Sequence, residues 1–534
     1  MGDRIGVRPA ALLLALCAAG VRADEFGDLE RQAKDREYGA YWDRTKAFGK
    51  LAKIGTVKAA QAVLPHCGDE EAAVREFVAL AIADFREAGA VAWLAANAGM
   101  LRTPEGRATA FWGFGLSRNE GYIPALEKAA TADRDPVARA AAIRALGRIG
   151  SQVKDDILIA ALKDSAWQPR EEAAWAIRDR RVATASDGLV KLLSDAAWQP
   201  HAAALYALAA CSPDRFREAL PKAQKDKAWQ VRLAACEAAV DVGNDEGHAA
   251  AVIGLDDDGW QARVAAIGVL ERIWEERCVE PLVLRLEKEK GRLRYDIVLV
   301  LRAMSGREIG FDGKAWKSWW ESAKADFKIQ KKPKTRGGPA EGGGTVATFY
   351  NVPILSDRIG FTIDFSGSMF DEDENLKPKK QIDLAIDEYR KTVAALRPEV
   401  RFNLVVMSTE AIVQKVRAFA KKLVPADPRT RAAAGAWVED ARKKLEPIKR
   451  GRGDTWDAFV ELLEDEEVDT VFILSDGRPS YGACVDEDHF LDELARLNRY
   501  RRVMIHTVLT GKNGTDRKFM EALASATGGQ AVAR

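Results

Sequence analysis

Histidine and cysteine are scarce in this chain, with five and six among 534 residues. The histidines, His66, His201, His248, His489 and His506, share no metal-ligand spacing, and no His-Glu-x-x-His motif is present. No Cys-x-x-Cys pair occurs, which argues against a cysteine zinc cluster. Beyond Cys17, the cysteines Cys67, Cys211, Cys236, Cys278 and Cys484 are odd in number and irregular in spacing. That pattern reads as isolated buried thiols rather than a disulfide framework. Gly-x-Ser-x-Gly and phosphate-binding Gly-Lys-Ser/Thr motifs are missing as well. Net charge is also nearly absent, since 81 Lys and Arg face 80 Asp and Glu. The whole-chain field therefore gives no reason to expect nucleic acid or an anionic membrane as partner. The basic run 328–336 is local and reads as a solvated linker. No segment after the first residues is long and apolar enough to span a bilayer.

What is present begins with an export pattern. Arg4 and Arg8 precede an apolar run over 10–19, and Val21-Arg22-Ala23 supplies a small-x-small cleavage site. Cys17 follows Leu16, which is too large for a lipoprotein signal. The expectation is a signal peptide over 1–23, a mature chain beginning near Asp24, and a secreted, periplasmic or cell-envelope location.

A repeat then dominates the chain to about residue 325. Asp133, Asp164, Asp195, Asp226 and Asp257 recur every 31 residues. Arg139, Arg170, His201, Arg232 and Arg263 follow each by six, and Ala142, Ala173, Ala204, Ala235 and Ala266 hold a further position. Arg75, Arg107 and Arg294 extend the register, giving about eight units. A fixed period of this size predicts a solenoid whose units bury their apolar faces only by stacking. Each unit reads as two helices. In one of them Ile157, Ala160, Ala161 and Leu162 belong to the first, a turn runs through Asp164 to Gln168, and Pro169 suits the first turn of the second. The Asp-x5-Arg pairing before an alanine-rich helix resembles HEAT repeats, including the short HEAT-like kind. The resemblance implies a polar ladder between adjacent units, formed by Asp133/Arg139, Asp164/Arg170, Asp226/Arg232 and Asp257/Arg263. His201 departs from it, which puts the ladder in doubt at Asp195.

Trp167, Trp198, Trp229 and Trp260 form a second ladder, again at intervals of 31, in the turns between helices. Two readings stand: packing between units, or an exposed aromatic strip that binds a partner or a glycan. Trp316, Trp319 and Trp320 share one helix face and read as a cap over the last unit. A basic and then glycine-rich stretch over 326–350 reads as a flexible linker.

From 351 to 534 the pattern alternates. Strands are predicted over 359–365, 401–407, 411–419, 470–474, 503–509 and 530–533. Helices are predicted over 382–396, 429–445, 456–463, 490–498 and 517–527. The expected fold is a doubly wound α/β domain of Rossmann-like layout, with ligands beyond the strand C-termini. The first strand runs into Asp364-Phe365-Ser366-Gly367-Ser368, a carboxylate with two hydroxyls on a glycine turn. Such a donor set suits a hard cation. Gly453-Asp454-Thr455 and Leu474-Ser475-Asp476-Gly477 follow in order, adding a hydroxyl and a second carboxylate.

These three pieces resemble the metal-ion-dependent adhesion site of von Willebrand factor A-type domains, over roughly 355–534. The resemblance implies that Ser366 and Ser368 ligate the ion directly, that Thr455 does so in the ligand-bound state, and that Asp364 and Asp476 act largely through water or by swapping shells. It further implies Mg²⁺, with Mn²⁺ as substitute and Ca²⁺ a weaker one, and a partner Asp or Glu that completes the coordination. Arg452-Gly453-Asp454 overlaps the metal loop, which accounts for it.

The whole reads as a signal peptide (1–23), a HEAT-like α-solenoid with a tryptophan cap (24–325), a linker (326–350) and a von Willebrand A-type domain (351–534). The expected function is binding and scaffolding without catalysis: a protein partner with an acidic side chain at the metal, and a second protein on the repeats. The alternative is an enzyme or enzyme subunit, bilin-lyase-like or chelatase-like.

Overall fold

A computed structural model describes residues 23–37, 41–150, 152–333, 347–372, 379–448, 451–510 and 514–534. Of the export signal read at 1–23, residues 1–22 lie outside them, as does the centre of the linker, 334–346. The chain divides into two units, 1–238 and 239–534.

The first unit is a helical-repeat solenoid. Its repeats pair a short first helix with a longer second one, as in Asp155–Ala161 with Trp167–Arg180, then Ser186–Leu192 with Trp198–Cys211. Pro136 and Pro104 start two of the second helices, where a missing N–H costs nothing. The tryptophans of the second ladder are not in the turns. Trp167 and Trp198 are the first residues of their helices, because the preceding Asp-Ser-Ala and Asp-Ala-Ala complete the turn. Second helices of successive repeats pack side by side, and small residues set how closely. A Cβ on Gly115 would lie 2.9 Å from Ala145 Cα, and one on Gly147 would lie 2.9 Å from Ala176 Cβ. The alanine column is fully buried at Ala142, Ala173, Ala204 and Ala235.

The polar ladder runs forward. Arg107 Nε and Nη2 donate to Asp133 at 2.6 and 2.8 Å, Arg139 to Asp164 at 2.7 and 2.7 Å, and Arg170 to Asp195 at 2.6 and 2.8 Å. Each arginine thus grips the aspartate of the next repeat. Its remaining nitrogen turns back to its own turn, as Arg170 Nη1 does to Asp164 O at 2.7 Å. The gap left by His201 therefore falls at Asp226, not at Asp195. His201 Nδ1 is 3.7 Å from Asp226, too far for a hydrogen bond. Burial raises the carboxyls of Asp133, Asp164 and Asp195, but their arginines and the amides two residues on outweigh it, and all three sit below the ordinary range.

The second unit opens with more repeat helices, Asn244–Gly254, Trp260–Ile273, Val279–Leu286 and Gly291–Ser305. Helix Gly313–Ala323 packs on Val279–Leu286 and buries Trp316 and Trp320. Phe327 packs edge-on to Trp319 and Trp320, and Gln330 N donates to Met304 O at 2.8 Å. The start of the stretch read as linker therefore lies along the repeats, held by aromatic packing and backbone hydrogen bonds.

The C-terminal segment is a mixed six-stranded sheet: β1 (Arg358–Asp364), β2 (Arg401–Met407), β3 (Val424–Pro425), β4 (Thr470–Ser475), β5 (Met504–Leu509) and β6 (Ala531–Ala533). The order is β3-β2-β1-β4-β5-β6, all parallel except β3. Alternate residues of β4 face opposite cores. Phe472 and Leu474 meet helices α1 (Gln381–Ala395) and α3 (Pro428–Leu445), while Val471 and Ile473 meet α4 (Thr455–Leu462), α5 (Glu487–Arg501) and α6 (Gly514–Ser525). Central strands covered on both faces read as continuous apolar runs, as these do. The strand predicted over 411–419 is not formed. Residues Thr409–Val413 make a short helix α2, and only Ala418 bridges back to Val405. That segment buries Ala411 and Val416 but leaves Ile412 and Val413 exposed, so its apolar run does not follow the alternation of one strand face.

Within this second unit the sheet is mounted on the repeats by the ends of β1 and β4 opposite the candidate site. Trp260 Nε1 and Gln261 Nε2 both donate to Glu466 O, at 3.2 and 3.3 Å. The Arg358 guanidinium lies 4.9 Å from the Trp260 ring centroid. Arg292 Nη1 donates to Asp469 O at 2.6 Å and also to Arg502 O. Tyr295, Leu299 and Met504 close a small apolar cluster against Phe311 and Leu355.

Candidate functional site

The strand order reverses between β1 and β4, so the chain leaves their C-terminal ends in opposite directions and a crevice opens there. Asp364 closes β1 and Ser475 closes β4. The turn after β1 is built on the aspartate itself. Asp364 Oδ1 accepts from Ser366 N at 2.7 Å, and Oδ2 accepts from Ser475 Oγ at 2.5 Å. Ser366 Oγ and Ser368 Oγ are 3.2 Å apart, so the two hydroxyls converge.

The second loop is clasped to this turn. Gly367 N donates to Gly451 O at 2.9 Å, and the Cβ position of Gly453 is 3.5 Å from Asp364 Oδ2. Ser480 fastens the loop from the other side: Gly453 N donates to Ser480 Oγ at 2.9 Å, and Ser480 N donates to Gly453 O at 3.0 Å. Thr455 is buried as the first residue of α4. Asp454, between them, points away from the crevice. It caps α4 and pairs with Arg417 Nη2 at 3.2 Å.

Asp476, directly after β4, completes the set. Its carboxyl is raised by burial, with the Ser368 hydroxyl pulling the other way and Asp516 and Asp371 adding repulsion. Burial and then the Asp476 charge push Asp364 up to about 7. Two buried carboxylates repelling one another among hydroxyls are destabilised in their charged forms, and a cation would relieve both. The donors Asp364, Ser366, Ser368, Thr455 and Asp476 are oxygen only, which fits Mg²⁺ or Mn²⁺ and not a soft metal. Among the described residues no group of three or more His, Cys, Asp or Glu is arranged to hold a metal. This crevice has two carboxylates, and hydroxyls make up the rest.

Sequence reasoning gave no role to Ser475, Ser480 or Arg417. Ser475 lies in the quoted Leu-Ser-Asp-Gly run, and its position at the strand's end is the signal that could have marked it. Ser480 and Arg417 hold the second loop through tertiary contacts that no spacing encodes.

The family model for HEAT repeats matches residues 100–178. No curated protein matches the chain. Among solved structures, an engineered protein is 16% identical, with 52% of this chain and 88% of that one covered and a TM-score of 0.30. The CpcE–CpcF complex of phycocyanin lyase from Nostoc sp. PCC7120 is 18% identical, with coverage of 49% and 94% and a TM-score of 0.28. Kap121p bound to Pho4p is 13% identical, with coverage of 61% and 44% and a TM-score of 0.40. At these scores the likenesses carry no argument about what this chain does.

Proposed function

We propose that the chain is an exported, non-catalytic binding protein. In this reading the C-terminal segment is a von Willebrand A-type domain whose crevice holds Mg²⁺ or Mn²⁺ and takes an acidic side chain from a protein partner. The repeats add a second, extended surface for protein. The observation that carries the reading is the meeting of Asp364, Ser366 and Ser368 with the Gly453–Thr455 loop where the strand order reverses. The strand order and the helices on both faces fit the doubly wound layout that the A-type resemblance implies. Hydroxyl ligands leave a bound ion electron-poor, so an anion from outside is the natural completion.

The test is calorimetric titration of Mg²⁺ and Mn²⁺ into the full chain and its Asp364→Ala variant. One ion should bind, and the variant should lose it with its helix content unchanged, since Asp364 sits at a strand end rather than in the apolar core. Capture of a native envelope or secretome partner should then require Mg²⁺ and fail in EDTA. Metal affinity indifferent to Asp364→Ala would end the adhesion-site reading.

A further inference from the structure

Ser475 ends β4, and its hydroxyl reaches across to β1. Ile363 is in register with Leu474, so Asp364 and Ser475 come next along the two parallel strands and leave the sheet on the same face. The hydroxyl has one proton and two acceptors within reach, Asp364 Oδ2 at 2.5 Å and Gly477 O at 3.0 Å. The carboxylate is nearer and charged, so it takes the proton. A lone pair of the same oxygen then accepts from Gly477 N at 3.2 Å. Ser475 and Asp364 are only 2% and 3% exposed, so water does not compete for this bond.

One hydroxyl thus joins the two turns that carry the carboxylates: β1 through the Asp364 side chain, and the Asp476 turn through the amide of Gly477. Asp364 is held at both oxygens, since Oδ1 accepts from Ser366 N at 2.7 Å. Its flank is closed as well, because the Cβ position of Gly453 lies 3.5 Å from Oδ2 and 3.7 Å from Oδ1. The hydroxyls of Ser366 and Ser368 converge without any such anchor on a charged group of β4. Turning Oδ2 to meet an ion would break its charge-assisted bond and drop the proton to the weaker acceptor, Gly477 O. A carboxylate secured in this way reaches an ion more readily through a water that accepts neither loss.

We propose that Ser475 is a positioning residue for the ion: by holding Asp364 Oδ2 it keeps that carboxylate one water away from the metal. The inference rests on the metal half of the proposed function. Two consequences follow from the same hydrogen bond. The ion keeps more of its charge and one more water, which is the place an outside carboxylate takes. The site also favours Mg²⁺, which dehydrates reluctantly, over Ca²⁺, whose affinity rises with the number of charged oxygen ligands.

The test uses the full chain with Mn²⁺ as probe. Electron paramagnetic resonance follows the free ion, and line broadening in isotopically labelled water counts the waters on the bound one. Ser475→Ala frees Oδ2 to ligate directly, so its bound Mn²⁺ should carry one water fewer than the parent's. Calorimetry should show its Ca²⁺ affinity rising at least fivefold relative to Mg²⁺. Ser475→Thr keeps the hydroxyl and should restore the parent's water count and preference. Ser475→Cys, close in shape but a weak donor, should behave as Ser475→Ala does and serves in its place if the alanine variant loses its circular dichroism. A merely structural serine would leave both readouts where they are or weaken all ions alike. An unchanged water count, an unchanged Ca²⁺ to Mg²⁺ ratio, or uniformly weaker binding would each overturn the proposal while leaving the metal site in place. No Mn²⁺ bound by the parent chain would end the adhesion-site reading and this inference with it.

Discussion

Replacing Arg170 by methionine should cost the first unit about 3 kcal/mol, whereas the same replacement at His201 should cost under about 1 kcal/mol. The two residues hold one register position in successive repeats, so the difference isolates the ladder. Arg170 makes two hydrogen bonds to Asp195 and a third to Asp164 O, and the paired side chains are only 16% and 7% exposed. Methionine keeps the stem and removes all three. Asp195 is then left near the buried limit with only the Ala197 N–H, at 3.0 Å. Truncating one partner of a fully buried pair costs about 3–5 kcal/mol, and the residual exposure argues for the low end. His201 offers no such bond, and its burial holds the ring below its usual pKa despite Asp226, so no charge is lost there. For a unit of this size about 3 kcal/mol corresponds to a melting shift of roughly 6–12 °C. Because repeat arrays need not melt in one step, hydrogen exchange in helices Trp167–Arg180 and Trp198–Cys211 should be read beside thermal melting by circular dichroism. Equal shifts for the two variants would refute the view that the arginine fork, rather than alanine packing, sets the spacing energy of adjacent repeats.

The same ladder makes the solenoid acid-sensitive. The folded carboxyls of Asp133, Asp164 and Asp195 lie below their ordinary value, so their stabilisation is full above about pH 4 and drains away as the pH falls through the depressed values. Urea midpoints should therefore fall steeply below about pH 4, and less so in Asp195→Asn. In the second unit, Arg292→Met should remove the ion pair to the buried Asp296 and free the Asp469 and Arg502 carbonyls. Amides at the starts of β4 and β5 should then exchange at least tenfold faster, while unchanged exchange would mean that the apolar cluster alone holds the mount.

Much of this was legible in the sequence. The 31-residue step fixes where the repeats lie because stacking demands the same small residue at the same place in every unit. The direction of the ladder was not legible, since a period cannot say whether Arg139 reaches its own aspartate or the next. Most of the sheet's strands could be read because central strands buried on both faces are continuous apolar runs. Residues 411–419 misled because Ile412 and Val413 are apolar yet exposed. The carboxylates and hydroxyls of the crevice announced themselves by type, whereas Ser480 and Arg417 act through contacts made only after folding. The mount went unseen for a different reason: it uses backbone carbonyls, which carry no sequence signature.

That mount gives the chain a mechanical axis. β1 and β4 are adjacent parallel strands, and each joins the crevice at one end to the repeats at the other, through Arg358 on Trp260 and Asp469 on Arg292. A pull on anything held at Asp364 would run along both strands, with the ladder between them stressed in shear. Hydrogen bonds stressed that way must yield together, whereas bonds peeled from one end yield one at a time. Tension would thus pass through the sheet to the anchoring helices before the sheet itself gave way.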